Sequence, residues 1–250
     1  MRMLPQSAHV PLTLLLGEHK VAIMQPYLFP YIGYFQLIAA VDVFVLYDNI
    51  KYTKKGWINR NRLLQNGADM MFSIPLKNAP DHLNVCEREL ADSFDTNKLL
   101  RQFEGAYRRA PQFQPTLALL ETVLRHEERN LFDFLHHALL HTCQHLEIST
   151  EIRVSSSLPI DHSLKAQDKV LALCAATGAS AYINAIGGQE LYAKPDFARH
   201  NISLQFLRAK PLTYPQFGAD FVPWLSIIDV LMFNPLEDIQ QHLLNHYELV

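Results

Sequence analysis

The sequence predicts an α/β fold with a mainly parallel sheet, flanking helices and a helical insertion in the middle of the chain. Strand-like and helix-like segments alternate near the start of the chain, and the same alternation returns near its end. Between these two parts, apolar residues recur at helical spacing. Strand–helix–strand units form parallel sheets, so both ends of the chain are expected to build one sheet.

The first unit starts with the apolar run 21–24, which has the composition of a buried strand. Two prolines follow it and predict a turn. Residues 35–39 then predict a helix, and residues 41–46 predict a second strand. Ligands of parallel sheets bind at the carboxyl ends of strands, so the turn after the first strand and the loop after the second should open on the same edge.

The rest of the chain supplies the helical insertion and the second alternating part. Helical spacing dominates about residues 92–147, which we expect to belong to a single domain of residues 21–250. Residues 1–20 are expected to be a poorly ordered extension, with a degenerate signal peptide as the alternative. The other predicted elements are strands 71–76, 85–90, 148–155, 181–184 and 202–207, helices 98–107, 115–124 and 163–177 (capped by Gly178), and a helix that Asn130 caps and that ends at 146.

The composition is that of an ordinary globular protein. Of the 250 residues, 49% are hydrophobic and 19% are charged, and the formal net charge is -3. A general nucleic-acid binder would be basic, so no nucleic-acid partner is expected. The three cysteines fit neither a disulfide framework nor a C-x-x-C metal site, which points to a reducing cytoplasm. The apolar run 10–17 is too short to span a bilayer, so no stable membrane insertion is expected.

Residues 51–62 are predicted to form a cationic loop that contains aromatic residues. No acidic residue occurs between Asp48 and Asp69. Arginine donates to phosphate in fork geometry, and a flat group can stack on a tryptophan ring. The pattern predicts an anion-binding loop, with a solvated loop anchored by its tryptophan as the alternative. The predicted ligand-binding residues here are Lys51, Lys54, Trp57, Asn59, Arg60, Asn61 and Arg62, with Asp48 as the catalytic base.

An aromatic turn, residues 26–34, follows the first predicted strand. Tyr31 and Tyr34 present polar tips just after Gln25, and Gly33 lets the backbone approach a ligand closely. The group predicts a pocket wall in which Gln25, Tyr31 and Tyr34 orient the ligand, and Tyr34 is a second catalytic candidate. The alternative is an aromatic mini-core whose hydroxyl groups bind backbone carbonyls.

A glycine pair follows the predicted strand 181–184. Successive amides at Gly187 and Gly188 can form an anion-binding nest, which Asn184 and Gln189 would flank. An ordinary tight turn is the alternative. All of these candidate residues are expected to converge on one cleft.

Two further patterns are interpreted as structural. Ser226 and Asp229 have the spacing of a capping box, in which each side chain binds the other residue's backbone amide. His137, His141 and His145 are four residues apart on a predicted helix, as in some metal sites. They lack the glutamate of an HExxH motif, so an exposed histidine face is preferred and no metal is assigned.

Four stretches together resemble the WbqC-like family of bacterial and archaeal proteins: QPYLFPYIGYFQLI, VDVFVLYDNIKYTKKGWINRNR, GASAYINAIGGQELY and FVPWLSIIDVLMFN. The resemblance covers residues 21–234. It implies a role in O-antigen, other surface-polysaccharide or natural-product biosynthesis. The implied partners are a phosphorylated small molecule, a nucleotide sugar or a carrier protein, and the resemblance specifies no cofactor and no oligomeric state.

The expected activity is an acyl or aminoacyl transfer to the amine of an amino sugar or carrier-bound substrate. A non-catalytic protein that binds a nucleotide or nucleotide sugar is the alternative, and a metal-dependent hydrolase built on the histidine face is a third possibility. The start of the chain is also similar to HxGH-type nucleotidylyl transferases, which have a Rossmann-like fold. Here Tyr31 and Tyr34 replace both histidines, which favours nucleotide binding without nucleotidyl transfer.

Overall fold

A six-stranded sheet forms the centre of the computed structural model, which describes residues 17–218 and 220–250. Most of the predicted N-terminal extension, residues 1–16, lies outside the described residues. A separate two-stranded hairpin lies outside the sheet. The sheet contains β1 (Lys20–Met24), β2 (Val43–Leu46), β5 (Glu151–Val154), β6 (Ala181–Ala185), β7 (Ser203–Ala209) and β8 (Tyr247–Leu249), and the hairpin contains β3 (Arg60–Gln65) and β4 (Ala68–Ser73).

The strands lie in the order β5-β2-β1-β6-β7-β8. The first five are parallel to their neighbours, and β8 runs antiparallel to β7. The prediction of a mainly parallel sheet is therefore confirmed. Numbered along the chain, the parallel strands have the order 3-2-1-4-5 of doubly wound sheets, which reverses direction between β1 and β6. Crevices for ligands form at such a switch point, above the carboxyl ends of the strands.

Helices cover both faces of the sheet. Alternate residues of each strand point to opposite faces, so Ala22 and Phe44 belong to one apolar core and Val21 and Val45 to the other. The first core includes α1–α4 and α7, and the second includes α5 and α6. The helices are α1 (Ile32–Ala39), α2 (Thr96–Tyr107), α3 (Phe113–Leu124), α4 (Leu131–His145), α5 (Ala166–Thr177), α6 (Lys194–Ala198), α7 (Ile227–Phe233) and α8 (Leu236–Asp238), which continues as a π-helix (Ile239–Leu243).

Two predicted helix ends are confirmed. The Asn130 side chain accepts hydrogen bonds from the amides of Phe132 and Asp133, at 2.9 and 3.2 Å, and so begins α4. Gly178 ends α5 with φ +71°, a conformation that glycine adopts without steric cost.

Two segments differ from the prediction. Residues 85–90 are not a strand, because Val85–Glu87 forms a 3-10 helix with a capping box from Asn84. The end of the predicted cationic loop is strand β3, since Asn66 and Gly67 adopt positive φ and turn the chain back into β4. An Asn-Gly pair is a strong hairpin signal, so the sequence contained this information.

The capping-box prediction is half right. Ser226 caps α7 by accepting a hydrogen bond from the Ile228 amide, but the Asp229 carboxylate turns inward instead. It is fully buried and accepts hydrogen bonds from Tyr107, Tyr214 and Gln216 at 2.6–2.9 Å. Burial raises the pKa of Asp229 above its ordinary value. This network ties α7 to α2 and to the segment before it.

Candidate functional site

A pocket of about 410 Å³, here called the switch-point pocket, lies where the sheet order reverses. Met24 at the end of β1 and Ala185 at the end of β6 both contribute to its lining. The remaining lining comes from the aromatic turn and α1, from β3, from Ile186 after β6, from β7 and from two tryptophans. Its position is the one that the sequence predicted for a ligand, above the carboxyl ends of parallel strands.

Aromatic rings form much of the pocket wall. Trp57 and Trp224, which are the two tryptophans of the chain, are 41% and 58% exposed. Trp224 has φ +61°, which is rare for a bulky residue and often marks a functional site. Its ring contacts Tyr31 with 5.2 Å between the ring centroids, and its carbonyl accepts a 3.0 Å hydrogen bond from Arg62. The wall is completed by Tyr27 and Tyr34.

Buried hydrogen bonds fix the aromatic turn below these rings. Asn61 donates to the carbonyls of Leu28 and Phe29, at 3.1 and 2.9 Å, and the Ser226 hydroxyl donates to Phe29 as well. Gly33 packs closely here, because an added Cβ would lie 3.0 Å from the Tyr31 ring and would push that ring aside. The Gly33 backbone was predicted to approach a ligand closely, and in the structure it approaches the Tyr31 ring.

Tyr34 is placed at the pocket but is poorly suited to proton transfer. Its hydroxyl donates a 2.7 Å hydrogen bond to the Gln25 carbonyl. Burial raises the pKa of Tyr34 well above its ordinary value, and the neighbouring Tyr27 adds to the shift. A hydroxyl group with so high a pKa stays protonated, so Tyr34 can donate a hydrogen bond but cannot act as a base near neutral pH.

Two arginines supply the positive charge of the pocket. Arg62 lies 5.5 Å from the Trp57 ring and binds Asp69 at 3.2 Å, and Arg208 binds Glu248 at 2.9 Å. Within the described ranges the buried Nε of Arg62 has no hydrogen-bond partner. That atom is closed to solvent, so a phosphate would instead bind the exposed part of the guanidinium group of Arg62, whose side chain is 28% exposed.

Apart from these arginines, the lining has few kinds of reactive side chain. Among the described residues that line the pocket there is no Ser, Thr, Cys, His, Lys, Asp or Glu. Its hydroxyl groups belong to tyrosines, and neither a nucleophile with an adjacent base nor a metal-binding set is present in this lining. The pocket can therefore stack a flat group and pair an anion.

A second group of polar residues, here called the polar cluster, lies at the carboxyl ends of β2 and β5. It consists of Asp48, Asn49, Ser155 and Lys169, all buried or half-buried. The Ser155 hydroxyl lies 2.7 Å from Asp48 and 2.8 Å from Asn49, and the Ser156 amide donates to Asp48 at 2.9 Å. The single hydroxyl proton of Ser155 therefore has two acceptors to choose between.

Lys169 completes the polar cluster from α5. It is only 4% exposed, donates to Asn49 at 3.2 Å and lies 5.0 Å from the centre of the Tyr47 ring. Burial lowers the pKa of Lys169, and the negative charge of Asp48 opposes that shift. Buried lysines with a lowered pKa can act as proton acceptors or as amine nucleophiles.

Some of the predicted site residues lie at one of these two places. Asp48 belongs to the polar cluster. Gln25 lies beside the pocket, where its backbone carbonyl accepts a hydrogen bond from Tyr34 and its side chain accepts one from Tyr27. The predicted residues that line the switch-point pocket are Tyr31, Tyr34, Trp57, Asn61 and Arg62.

Other residues of the predicted cationic loop bind elsewhere in the protein. Lys54 pairs with Asp81 at 2.7 Å, and Lys51 is exposed. Arg60 donates to the carbonyls of Lys55 and Gly56 and so holds the loop together. Asn59 binds the Tyr52 hydroxyl and the Ile74 carbonyl. None of these four predicted ligand-binding residues is in the pocket lining.

The glycine pair has a different backbone from the predicted nest. Gly187, Gly188 and the exposed Gln189 lie in a 3-10 helix, Ile186–Leu191, and neither glycine has the positive φ of an alternating nest. Gly188 is instead required for packing, because an added Cβ would lie 2.3 Å from the Asn184 side chain. Of this helix, Ile186 lines the pocket.

The sequence analysis missed Trp224, Arg208 and Lys169. Trp224 carried a signal, because it lies in the quoted stretch FVPWLSIIDVLMFN, whereas nothing local distinguished Arg208 or Lys169. His137 of α4 stacks on His126, which follows α3, with 3.8 Å between the ring centroids, and it lies 4.2 Å from His141 in a tilted arrangement. The predicted histidine face is half-buried rather than exposed. In the part of the chain that the structure covers, no group of three or more His, Cys, Asp or Glu could hold a metal ion. Over the same residues, no helix is both long and apolar enough to cross a membrane.

Comparison with known proteins gives a family but no activity. The sequence model of the WbqC-like protein family matches residues 25–241. An uncharacterized protein of Mycobacterium tuberculosis is 29% identical over 218 residues, which cover 86% of this chain and 93% of that protein. No solved structure matches the chain.

Proposed function

The chain belongs to the WbqC-like protein family, and from this membership and the pocket we propose that it is a transferase of surface-polysaccharide or natural-product biosynthesis. Its substrate is a nucleotide-linked amino sugar, which receives an acyl group. The nucleotide occupies the switch-point pocket, with its base on the tryptophan rings and its phosphates at Arg62. The sugar amine then lies toward the polar cluster along the same edge of the sheet.

The observation that carries this proposal is the combination of stacking rings and arginine at the switch point of a doubly wound sheet. Stacking of a base on an aromatic side chain contributes roughly 1–3 kcal/mol and tolerates different bases. A charge-assisted hydrogen bond from arginine to phosphate contributes roughly another 1.5–3 kcal/mol. A pocket of about 410 Å³ also has the size of a site for a small molecule.

The proposed chemistry is alignment of two substrates with assistance from a base. The lining has no nucleophile for an acyl-enzyme intermediate, so the amine attacks the activated carbonyl directly. Asp48 is the proposed base, because it ends at the same sheet edge and its Oδ1 is fixed by Ser155 and Ser156. Its Oδ2 accepts no hydrogen bond from any described residue and is left for the substrate.

The same lining also favours a second candidate, a non-catalytic protein that binds a nucleotide or nucleotide sugar for a partner enzyme. The absence of a nucleophile among the described lining residues fits this role equally well. Nucleotidyl transfer is less favoured, since tyrosines replace both histidines of the HxGH pattern and one of them already binds Gln25.

Tryptophan fluorescence tests the proposal directly, because both tryptophans of the chain line the pocket. Titration with UDP and with UDP-linked amino sugars is expected to quench the emission, whereas free glucosamine is not. Replacing Arg62 by Gln should weaken UDP binding about 10- to 100-fold, since a charge-assisted bond is lost. Arg153→Gln is the matched control, because Arg153 pairs with Glu151 outside the pocket. Unchanged emission with every nucleoside diphosphate tried would contradict the proposal.

A further inference from the structure

Three histidine rings, here called the histidine stack, join α4 to the loop that precedes it. His126 lies in the loop of residues 125–130 between α3 and α4, and its ring stacks on that of His137 with 11° between the ring planes. His141, one turn further along α4, contacts the His137 ring as well. The central ring of the stack, His137, therefore lies between two rings that gain a positive charge in the same pH range.

The surroundings of the central ring disfavour a charge on it. Burial lowers the pKa of His137, and the charge of His126 lowers it further. His141 and His136 act in the same direction, whereas the Thr122 backbone opposes them. Within the described residues, the buried Nε2 atom of His137 has no hydrogen-bond partner. A proton on this atom would lack an acceptor, so the folded protein favours the neutral ring.

Carboxylates do not reverse this preference. α4 packs on α3 and on the 3-10 helix of residues 85–87. Glu121 of α3 pairs with Arg125 at 3.4 Å. Two loop amides donate to the Glu128 carboxylate and lower its pKa, and the charge of His126 lowers it further. The strongest influences on the central ring remain burial and its histidine neighbours. The other charged residues of these elements, apart from histidines, are Glu87, Glu127, Arg129 and Asp133.

The loop beside the stack also holds the segment of residues 84–90. The Leu90 amide donates to a loop carbonyl at 2.8 Å, and the Asn130 side chain donates to the Cys86 carbonyl at 2.7 Å. The Cys86 amide in turn donates to the Asp48 carbonyl at 3.2 Å. The segment therefore connects the loop beside the histidine stack with the loop that carries Asp48.

We propose that the histidine stack is an acid-sensitive latch. At neutral pH the uncharged rings hold the loop 125–130 against α4, and the loop holds the segment 84–90. When the rings gain protons, their repulsion releases both segments. The latch itself does not rest on the proposed function, whereas its effect on the candidate base Asp48 does.

The direction of the pH effect follows from proton binding. In the released state His137 is solvated and binds a proton near the ordinary histidine pKa of about 6.5, whereas the latched state resists that proton. Below this pH the released state therefore binds more protons, and its population rises as the pH falls. Repulsion between two charges about 4 Å apart in water corresponds to about a fivefold change in an equilibrium constant.

Amide hydrogen exchange measures the latch in the whole protein. The protection factors of the Cys86 and Leu90 amides, which are corrected for the intrinsic effect of pH, should fall between about pH 7.5 and about pH 5. The fall should be about fivefold larger than that of the Phe44 amide, because Phe44 lies in an inner strand of the sheet and reports global unfolding.

Two variants locate the effect. His126 is exposed, so His126→Phe should leave the fold intact and retain a flat ring that cannot gain a charge. The extra loss of protection should then shrink to less than about twofold, because the repulsion that remains lies within α4 and does not act on the loop. His145→Gln is the matched control. His145 is also half-buried on α4, but no ring contact joins it to the described rings of the stack, so the extra loss should persist.

The outcomes test the latch separately from the proposed function. A loss that His126→Phe removes and His145→Gln retains supports the latch. Equal losses in all three proteins, or no extra loss in the wild type, would overturn it. A loss at Leu90 without one at Cys86 would overturn the link to Asp48. UDP binding at about pH 7.5, where the latch is closed, bears on the proposed function alone.

Discussion

The switch-point pocket and the polar cluster lie along one edge of the same sheet, but they are built in opposite ways. The pocket has rings that remain 41% and 58% exposed, an arginine Nε without a partner and no nucleophile among its described lining residues. The polar cluster has an aspartate and a lysine that are 3% and 4% exposed, and its members bind one another. The first presents exposed rings and charge to a ligand, whereas the second consists mainly of side chains that bind one another.

This difference separates binding from stability. Exposed rings contribute little to folding, so they can be retained for stacking at small cost. Removal of one member of a buried and mutually bonded polar group changes the stability of the fold. Replacements in the pocket should therefore change ligand affinity, and replacements in the polar cluster should change the free energy of unfolding. Variants measured for both quantities test this division.

The largest effect is expected from Asp48→Ala. The change leaves the Ser156 amide without its acceptor and the Ser155 hydroxyl with Asn49 alone, and it removes the negative charge near the buried Lys169. The free energy of unfolding should fall by about 2–4 kcal/mol. Urea unfolding measures this loss. UDP affinity, measured below the unfolding transition, should stay within about twofold of wild type, because stacking and charge in the pocket are untouched.

Asp48→Asn is the matched control for that prediction. The amide oxygen still accepts both hydrogen bonds, so the loss should be about 1 kcal/mol. If Asp48 is the base, this variant keeps its affinity and loses turnover. A tenfold loss of UDP affinity in either variant would show that the two regions are one site.

The second largest effect is expected on ligand affinity, with little change in stability. Trp57→Ala should weaken UDP binding about 5- to 150-fold, the range expected for loss of one stacking partner. Its effect on the free energy of unfolding should be below about 0.5 kcal/mol, since the ring is 41% exposed. Isothermal titration calorimetry and urea unfolding give the two values. Met71, which is 45% exposed, provides the control Met71→Ala, and equal losses of affinity in both variants would contradict a stacking role.

The sequence predicted one of these regions far better than the other. Periodicity and turn residues predicted the parallel sheet and its carboxyl edge, and five of the predicted residues meet in the pocket because they follow β1 or start β3. Asp48 was predicted at the same edge because it follows β2 directly. These are consequences of local order along the chain.

The polar cluster and the rest of the pocket depend on contacts that no local pattern encodes. Lys169 meets Asn49 across 120 residues, and the Trp224 carbonyl meets Arg62 across 162. Lys54 and Arg60 had the right charge, but Asp81 and two loop carbonyls bind them. A charged residue therefore predicts an anion site only when it is known that no other group of the protein already binds it.

The smallest effect, Lys169→Met, tests whether the polar cluster is satisfied by hydrogen bonds or by charge. Because burial places the pKa of Lys169 below 10.5 in the folded protein, the unfolded chain binds more protons between the two pKa values, and stability rises with pH there. The methionine variant should gain about 1 kcal/mol near neutral pH, and the gain should shrink as the pH approaches 10.5. Urea unfolding of both proteins at several pH values measures the difference. If the methionine variant instead loses more than about 2 kcal/mol of unfolding free energy at every pH, the hydrogen bond to Asn49 outweighs the cost of burying the ammonium group. Lys169 would then stabilise the loop after β2 and would not act as a proton acceptor.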